Sequence, residues 1–270
     1  MLLFNSHTHT ESSLDCDVSA EQMCIAAIEA GLSGYSICDH CHSSDYITYS
    51  TYDVLKASYS DASRLKKKYH DKIEVFAGAE FDEILWHKEY TDRLISQFPL
   101  DIILASVHRV RNVHDTNFIS RVKFNQLSKE ELSFFISRYF EDVLETAEKC
   151  DFDSLAHPTL ILRYVCGKYK LSVDMDEFKS LTDKILKTVI EREKSIELNT
   201  SEINGIGFMP DKNILARYHQ LGGKLVTLGS DAHKTKNLAL GLTEAAALLK
   251  ECGFDHYVYY KERKAQLVSL

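Results

Sequence analysis

What most constrains this 270-residue chain is where its metal-ligating side chains fall relative to its apolar runs. β-type runs are expected at Leu2 to Phe4, Gly34 to Cys38, Ile73 to Ala79, Asp101 to Val107, Ser154 to Ala156, Ser195 to Leu198 and Lys224 to Leu228. His7, His9, His40, His108, His157 and His233 each come just after one of these runs, interleaved with Asp15, Glu80 and Asp231. Imidazoles and carboxylates repeated at the same end of successive strands converge on one pocket and can hold several metal ions. The pattern reads as a multinuclear metal hydrolase.

Longer amphipathic segments separate the runs. One opens with the capping box Ser19-Ala20-Glu21-Gln22 and closes at Gly31, and a later one opens with Ser128-Lys129-Glu130-Glu131. Another has Asp174 three residues before Glu177, and one starting near Pro210 stops at Gly222-Gly223. This β-α order predicts a mostly parallel sheet with helical crossovers. Functional residues after every strand favour closure, because only a barrel gathers all carboxyl ends around one mouth. The expected fold is α/β, a distorted TIM-like (β/α)7 barrel forming a single domain over residues 1–270, with its metal site at the carboxyl-terminal ends of the strands. Insertions are expected to enlarge the loops Ser43 to Thr51 and Arg109 to Leu127 and so shape a substrate pocket. Tyr257 to Tyr260 is expected to add one more strand.

Composition narrows the partners. A net charge of −8, with no basic tract beyond Lys66-Lys67-Lys68, argues against nucleic acid and anionic membranes. The amino terminus lacks an apolar signal region, no apolar stretch approaches a membrane span, and the seven cysteines have no disulfide-framework spacing. These features lead us to expect a cytoplasmic protein. Cys38-Asp39-His40-Cys41 contains a lone CxxC, a weak zinc signal, and Cys38 reads better as the last buried residue of a strand.

In His7-Thr8-His9, positions i and i+2 of an extended segment point the same way, so both imidazoles can reach one ion. Asp15 can return a carboxylate from the following loop, with Glu11 and Asp17 as competitors. A single strand-end histidine could equally cap a loop carbonyl, but seven such coincidences in strand order disfavour that reading. Imidazole and carboxylate ligands suit zinc, iron or manganese, and a bridging carboxylate such as Glu80 can hold two ions close together. Three divalent ions against the charges of Asp15, Glu80 and Asp231 would leave a cationic floor suited to a phosphate dianion.

The order HTHT, DH, GAE, SVH, AHP, GSDAH resembles the polymerase and histidinol phosphatase (PHP) superfamily over essentially the whole chain. Within that superfamily, three stretches look like the PHP-type histidinol-phosphate phosphatases: Glu197 to Ser201, His157-Pro158 to Arg163-Tyr164, and Leu221 to His233. The resemblance implies three metals: one on His7, His9, Glu80 and Asp231, a second on Glu80, His108 and His157, and a third on Asp15, His40 and His233. It implies hydrolysis of L-histidinol phosphate to L-histidinol and phosphate in histidine biosynthesis, a hydroxide bridging the metals attacking phosphorus. Glu80, Asp231 and His233 are the catalytic candidates. Arg163 is the first candidate for a phosphate clamp, with His42 and Arg109 as further substrate-binding candidates. The chain departs from the family where a glycine and a basic residue often follow Asn-Thr-Ser: it reads Asn199-Thr200-Ser201-Glu202. Glu202 reads as a loop glutamate, with the ammonium of an amino alcohol as its alternative contact.

Three rivals stand beside this reading. Another small phosphomonoester or a phosphotyrosine would use the same metals. A non-catalytic metal-binding protein is disfavoured because structural zinc sites are usually closed, cysteine-rich clusters. A metal-dependent amidohydrolase usually needs a bridging lysine, and no lysine stands at an expected strand end.

Overall fold

The computed structural model of the chain describes residues 2–42, 50–113 and 118–270. The elements run β1 (Phe4–Thr8), α1 (Ala20–Glu29), β2 (Gly34–Ile37), β3 (His40–His42), α2 (Thr51–Lys68), β4 (Glu74–Asp82), α3 (Lys88–Gln97), β5 (Ile102–Ser106), α4 (Lys129–Lys149) and β6 (Ser154–Leu155). They continue α5 (Lys179–Glu191), β7 (Ser195–Asn199), α6 (Lys212–Gln220), β8 (Val226–Gly229), α7 (Leu242–Glu251), β9 (His256–Lys261) and β10 (Lys264–Ser269). Strands β1, β2, β4, β5, β6, β7 and β8 pair in that order, all parallel. The ring closes where His9 N donates to Ala232 O at 3.0 Å and Asp231 N donates to His7 O at 2.9 Å. This is the expected α/β barrel of seven parallel strands.

Local chemistry sets the helix ends. Both expected capping boxes form: Ser19 with Gln22 starts α1, and Ser128 with Glu131 starts α4. Asp211 caps α6 by accepting from Ile214 N, one residue beyond Pro210. Asp174 caps a 3-10 turn, Met175–Phe178, that precedes α5. In α4 the buried Phe135, Ile136, Tyr139, Phe140, Val143 and Ala147 recur at helical spacing, which lays that face against the barrel. Lys66, Lys67 and Lys68 are the exposed last turn of α2, where positive charge suits the helix dipole.

Two strands run further than their apolar runs predict. β1 extends through His7 to Thr8 and β4 through Glu80 to Asp82, so His7 and Glu80 lie within strands rather than after them. The extension of β4 gives β3 its partner, since His40 pairs with Glu80, Cys41 with Phe81 and His42 with Asp82. Of the two expected loop insertions, residues 43–49 and 114–117 lie outside the described residues. The described remainder of the second carries two 3-10 turns, Ile119–Arg121 and Phe124–Gln126.

The expected strand at Tyr257 to Tyr260 forms as β9, and β10 pairs with it antiparallel. This hairpin covers the amino-terminal end of the barrel. Tyr257 Oη accepts from Phe4 N at 3.0 Å and donates to Leu2 O at 2.9 Å, fastening β9 to the start of β1. Tyr260 reaches Ser195 Oγ at 2.7 Å, and Glu262 N donates to Asp101 Oδ1 at 2.9 Å. Val258 and Tyr260 join Cys38, Ile102, Leu104 and Ala156 in a small buried cluster apart from the main core, whereas Cys41 belongs to the main core. The two cysteines of the CxxC therefore pack in different layers and share no metal group among the described residues. No helix among the described residues is long and apolar enough to cross a membrane.

Tyr257→Phe leaves the buried Phe4 N–H without its acceptor and should cost about 1–3 kcal/mol. Urea unfolding should show a lower midpoint at unchanged slope; an unchanged midpoint would mean that the Tyr257 contact does not help hold the hairpin to β1.

Candidate metal centre

Glu80 lies at the centre of the barrel mouth and is fully buried. Its Oε1 is 2.9 Å from His157 Nε2 and 3.4 Å from His108 Nε2. Its Oε2 is 2.7 Å from His40 Nδ1, 3.4 Å from His7 Nε2 and 3.7 Å from His9 Nε2. Asp231 Oδ1 lies 3.1 Å from His9 Nε2, and Asp15 Oδ2 lies 3.2 Å from His233 Nε2 and 3.5 Å from His40 Nε2. All nine side chains singled out in the sequence thus come together, and Asp15 is the carboxylate that its loop delivers.

A layer of acids holds the imidazoles; the sequence motifs include Asp39 and Glu197 without a ligand role and leave out Asp82. Glu197 Oε1 lies 2.7 Å from His7 Nδ1, and its Oε2 accepts from His157 N at 2.7 Å. Asp82 Oδ2 lies 2.5 Å from His42 Nδ1 and 3.2 Å from His108 Nδ1. With Nδ1–H directed at a carboxylate, His7 and His108 turn Nε2 toward Glu80. Asp39 accepts from Thr10 N, Thr10 Oγ1 and Ser13 Oγ, pinning the loop after β1, and Ser13 Oγ in turn meets His9 Nδ1 at 3.2 Å. A signal for Asp82 was present: it stands two residues after Glu80, on the same face of an extended strand.

Backbone geometry is specialised at the same rim. His157 and Asp231 have positive φ, 27° and 53°, a region that non-glycine residues rarely adopt and that is typical of constrained functional sites. Gly229 lets two groups approach: a Cβ there would lie 2.0 Å from Glu197 Oε1 and 2.7 Å from His7 Cβ.

The electrostatics call for positive charge at the centre. Burial works against ionisation of Glu80, yet His40, His7 and His108 hold its carboxyl well below the usual range. Asp231 is held low in the same way, against burial, by His7 and His9. Burial favours neutral His7, but Glu197, Glu80 and Asp231 outweigh it and raise its pKa; Glu80 and Asp15 do the same for His40. His9 goes down, through burial and its neighbours His40 and His233. Among the described residues no donor is well aligned on the buried Glu80 Oε2, although His40 Nδ1 lies 2.7 Å away and two further imidazoles crowd it. Among the described residues five groups have ligand atoms within 4.8 Å of one another: His7/His9/Glu80, His40/Glu80/His108, His9/His40/His233 and His7/His157/Glu197 around the centre, and His42/Asp82/Glu83 beside it. A buried carboxylate ringed by five imidazole nitrogens is a donor set that divalent cations satisfy, and the residue types fit.

Above the cluster opens a cavity of about 420 Å³. Asp15, His40, His42, His108, Asp231 and His233 form its polar side, while Leu14, Phe118, Ile119, Leu160 and Tyr164 give it apolar walls. Arg163 lines it from the start of a π-helical segment, Arg163–Lys168. Its guanidinium donates to Ser201 Oγ, lies 3.1 Å from Asp231 Oδ2 and places Nε 3.4 Å from Glu202 Oε1. Arg109 does not line this cavity; its guanidinium lies 4.1 Å from the Phe118 ring centroid, behind the wall.

Burial opposes the charged form of His233, but Asp15 and Asp231 raise its pKa, as happens at His40. Raised imidazole pKa values mean that protons compete with metal to higher pH than at an ordinary histidine. Affinity of the metal-free protein for zinc should therefore rise with pH through and beyond the ordinary histidine value of about 6.5, with proton release on binding. Calorimetry in buffers of differing ionisation enthalpy measures both; a pH-independent affinity without proton release would contradict the assignment.

Comparison with known proteins agrees with this architecture. The PHP domain model matches residues 5–201. The histidinol-phosphatase of Lactococcus lactis subsp. lactis (strain IL1403) is 27% identical over 266 residues, covering 96% of this chain and 94% of that protein. A probable histidinol-phosphatase of Clostridium acetobutylicum is 26% identical over 272 residues, covering 97% and 98%. A crystal structure of histidinol phosphate phosphatase from Lactococcus lactis, complexed with zinc, L-histidinol and phosphate, has the same fold, with a TM-score of 0.82 at 24% identity over 98% of both chains. With a family match over well more than half its length and a seven-stranded barrel whose mouth gathers histidines and carboxylates, the chain belongs to the PHP domain family.

Proposed function

We propose that this protein is a metal-dependent phosphomonoesterase that hydrolyses L-histidinol phosphate to L-histidinol and phosphate in histidine biosynthesis. The observation that carries the reading is the Glu80-centred cluster at the floor of a cavity whose wall presents Arg163. Full-length relatives that carry the histidinol-phosphatase name support the choice of substrate.

His7, His9, Glu80 and Asp231 would hold one divalent ion, Glu80, His108 and His157 a second, and Asp15, His40 and His233 a third, with zinc, iron or manganese all suited to such donors. Bound there, the ions would acidify water and screen the charge that develops on the phosphoryl oxygens. The chain's own groups prepare the site. Glu197 and Asp82 fix the rings of His7 and His108 so that Nε2 faces inward. Arg163 offers a planar donor pair to two phosphate oxygens, and its contacts with Asp231 and Ser201 orient it before substrate arrives. His42, held by Asp82, faces the cavity beside the cluster. The apolar wall of Phe118, Ile119, Leu160 and Tyr164 suits the organic part of a small ester. A cytoplasmic setting fits the cysteines, which are all free thiols.

The metal-loaded protein should prefer L-histidinol phosphate over simple phosphomonoesters and phosphotyrosine by about a hundredfold or more in kcat/KM. Equal or better turnover of phosphotyrosine would retain the phosphoesterase and discard the pathway. Arg163→Ala should lower kcat/KM by about ten- to a hundredfold, the loss of a charge-assisted contact; unchanged kinetics would return Arg163 to a structural role.

A further inference from the structure

We propose that Arg121 is a second anion-binding side chain of this site, contributing a positive charge from the cavity wall to the phosphate of the substrate. The proposal rests on the phosphoester reading above and adds to it a residue that no motif marks. Arg121 ends the 3-10 turn Ile119–Arg121 and lines the cavity together with Arg163, His40, His42, His108 and His233. Its guanidinium carbon lies 5.1 Å from the centroid of the Phe118 ring. The same ring meets Arg109 at 4.1 Å and the edge of His42 at 5.7 Å.

The base of this arm is fixed to the metal centre. Ile119 N donates to His108 O at 2.8 Å, Phe118 bridges Arg109 in antiparallel fashion, and Arg121 N donates to Phe118 O at 2.8 Å. Glu83 Oε1 accepts from both His108 N and Arg109 N at 2.8 Å, anchoring the strand end from which the arm departs. The backbone of the turn therefore moves with the cluster, while the arginine side chain is exposed.

Charge compensation separates the two cavity arginines. Arg163 has Asp231 at 3.1 Å and Glu202 at 3.4 Å, so its charge is already countered by two carboxylates. Arg111, Arg217 and Arg263 likewise have carboxylate partners. Arg121 has no carboxylate within ion-pair distance among the described residues, only the Phe118 ring. In a chain of net charge −8, a guanidinium that lines the cavity and is left uncompensated is available to an incoming dianion. Resting on an aromatic face orients the planar group without occupying its N–H donors.

The test measures inorganic phosphate binding to the zinc-loaded protein by calorimetry, alongside KM for L-histidinol phosphate and p-nitrophenyl phosphate, in Arg121→Ala and Arg121→Lys. Arg121→Ala should weaken phosphate binding and raise both KM values by about tenfold, the scale of one charge-assisted hydrogen bond, at the parent's zinc content. Arg121→Lys should recover part of the loss, since it restores charge without the planar fork. Phosphate affinity and KM unchanged in Arg121→Ala would overturn the proposal, as would a loss explained entirely by lower zinc content. Because phosphate affinity is read without turnover, Arg121 is judged even if histidinol phosphate proves not to be the substrate, so the two readings fail separately.

Discussion

The molecule is organised around one buried carboxylate. Glu80 has no exposure and stands among five imidazoles, two on one oxygen and three on the other. An isolated carboxylate so deep would be strongly destabilising or would take up a proton. Here surrounding positive charge offsets that cost, and the acids behind the rings, Glu197 and Asp82, keep the imidazoles turned inward. Closure of the barrel and assembly of the site are the same event. The backbone hydrogen bonds that join the end of β8 to β1 run between His7, His9, Asp231 and Ala232, with Asn5 and Ser230 paired behind them, so the seam continues directly into the residues that face the metal centre.

The two ends of the barrel divide stability and chemistry. At the amino-terminal end, the β9–β10 hairpin satisfies backbone groups of β1 and is tied to Asp101, Asp151 and Asp153. At the carboxyl-terminal end, His157 and Asp231 keep positive φ, and Gly229 gives up its side chain to admit Glu197. Such backbone conformations cost of order 1–3 kcal/mol each and persist only where the surroundings over-determine them. Positioning at the mouth thus depends on a well-fastened base.

Much of this was legible in the chain. Apolar runs alternating with capped helices gave the barrel, because both kinds of element have periodicities that the capping residues confirm at Ser19, Ser128 and Asp211. The gathering of the eight strand-end ligand-type side chains followed from strand direction, whereas Asp15, on a loop with Glu11 and Asp17 as competitors, was selected only by the family resemblance. Strand ends were read short at Phe4 and Ala79, because polar residues facing the centre interrupt the apolar run while backbone pairing continues through His7 and Glu80. Glu197 stands out in the sequence only as the start of a family-like stretch, and Asp82 not at all despite its i+2 position after Glu80, because a carboxylate acting on another side chain has no motif of its own. The β10 strand was missed for a further reason: its turn uses Glu262 and Arg263, both at positive φ, where a sequence signal would need glycine or asparagine. Arg121 belongs to a loop whose placement over the cavity depends on tertiary contacts with Phe118 and His108.

The central claim is that Glu80 joins metal ions at the mouth of the barrel. Metal stoichiometry of Glu80→Gln against the parent, by elemental analysis of protein reconstituted under identical conditions, tests it most directly. The account predicts a variant that keeps its fold by circular dichroism but loses about two divalent ions per chain, since one amide cannot replace a bridging carboxylate. A variant that binds as much metal as the parent would contradict it.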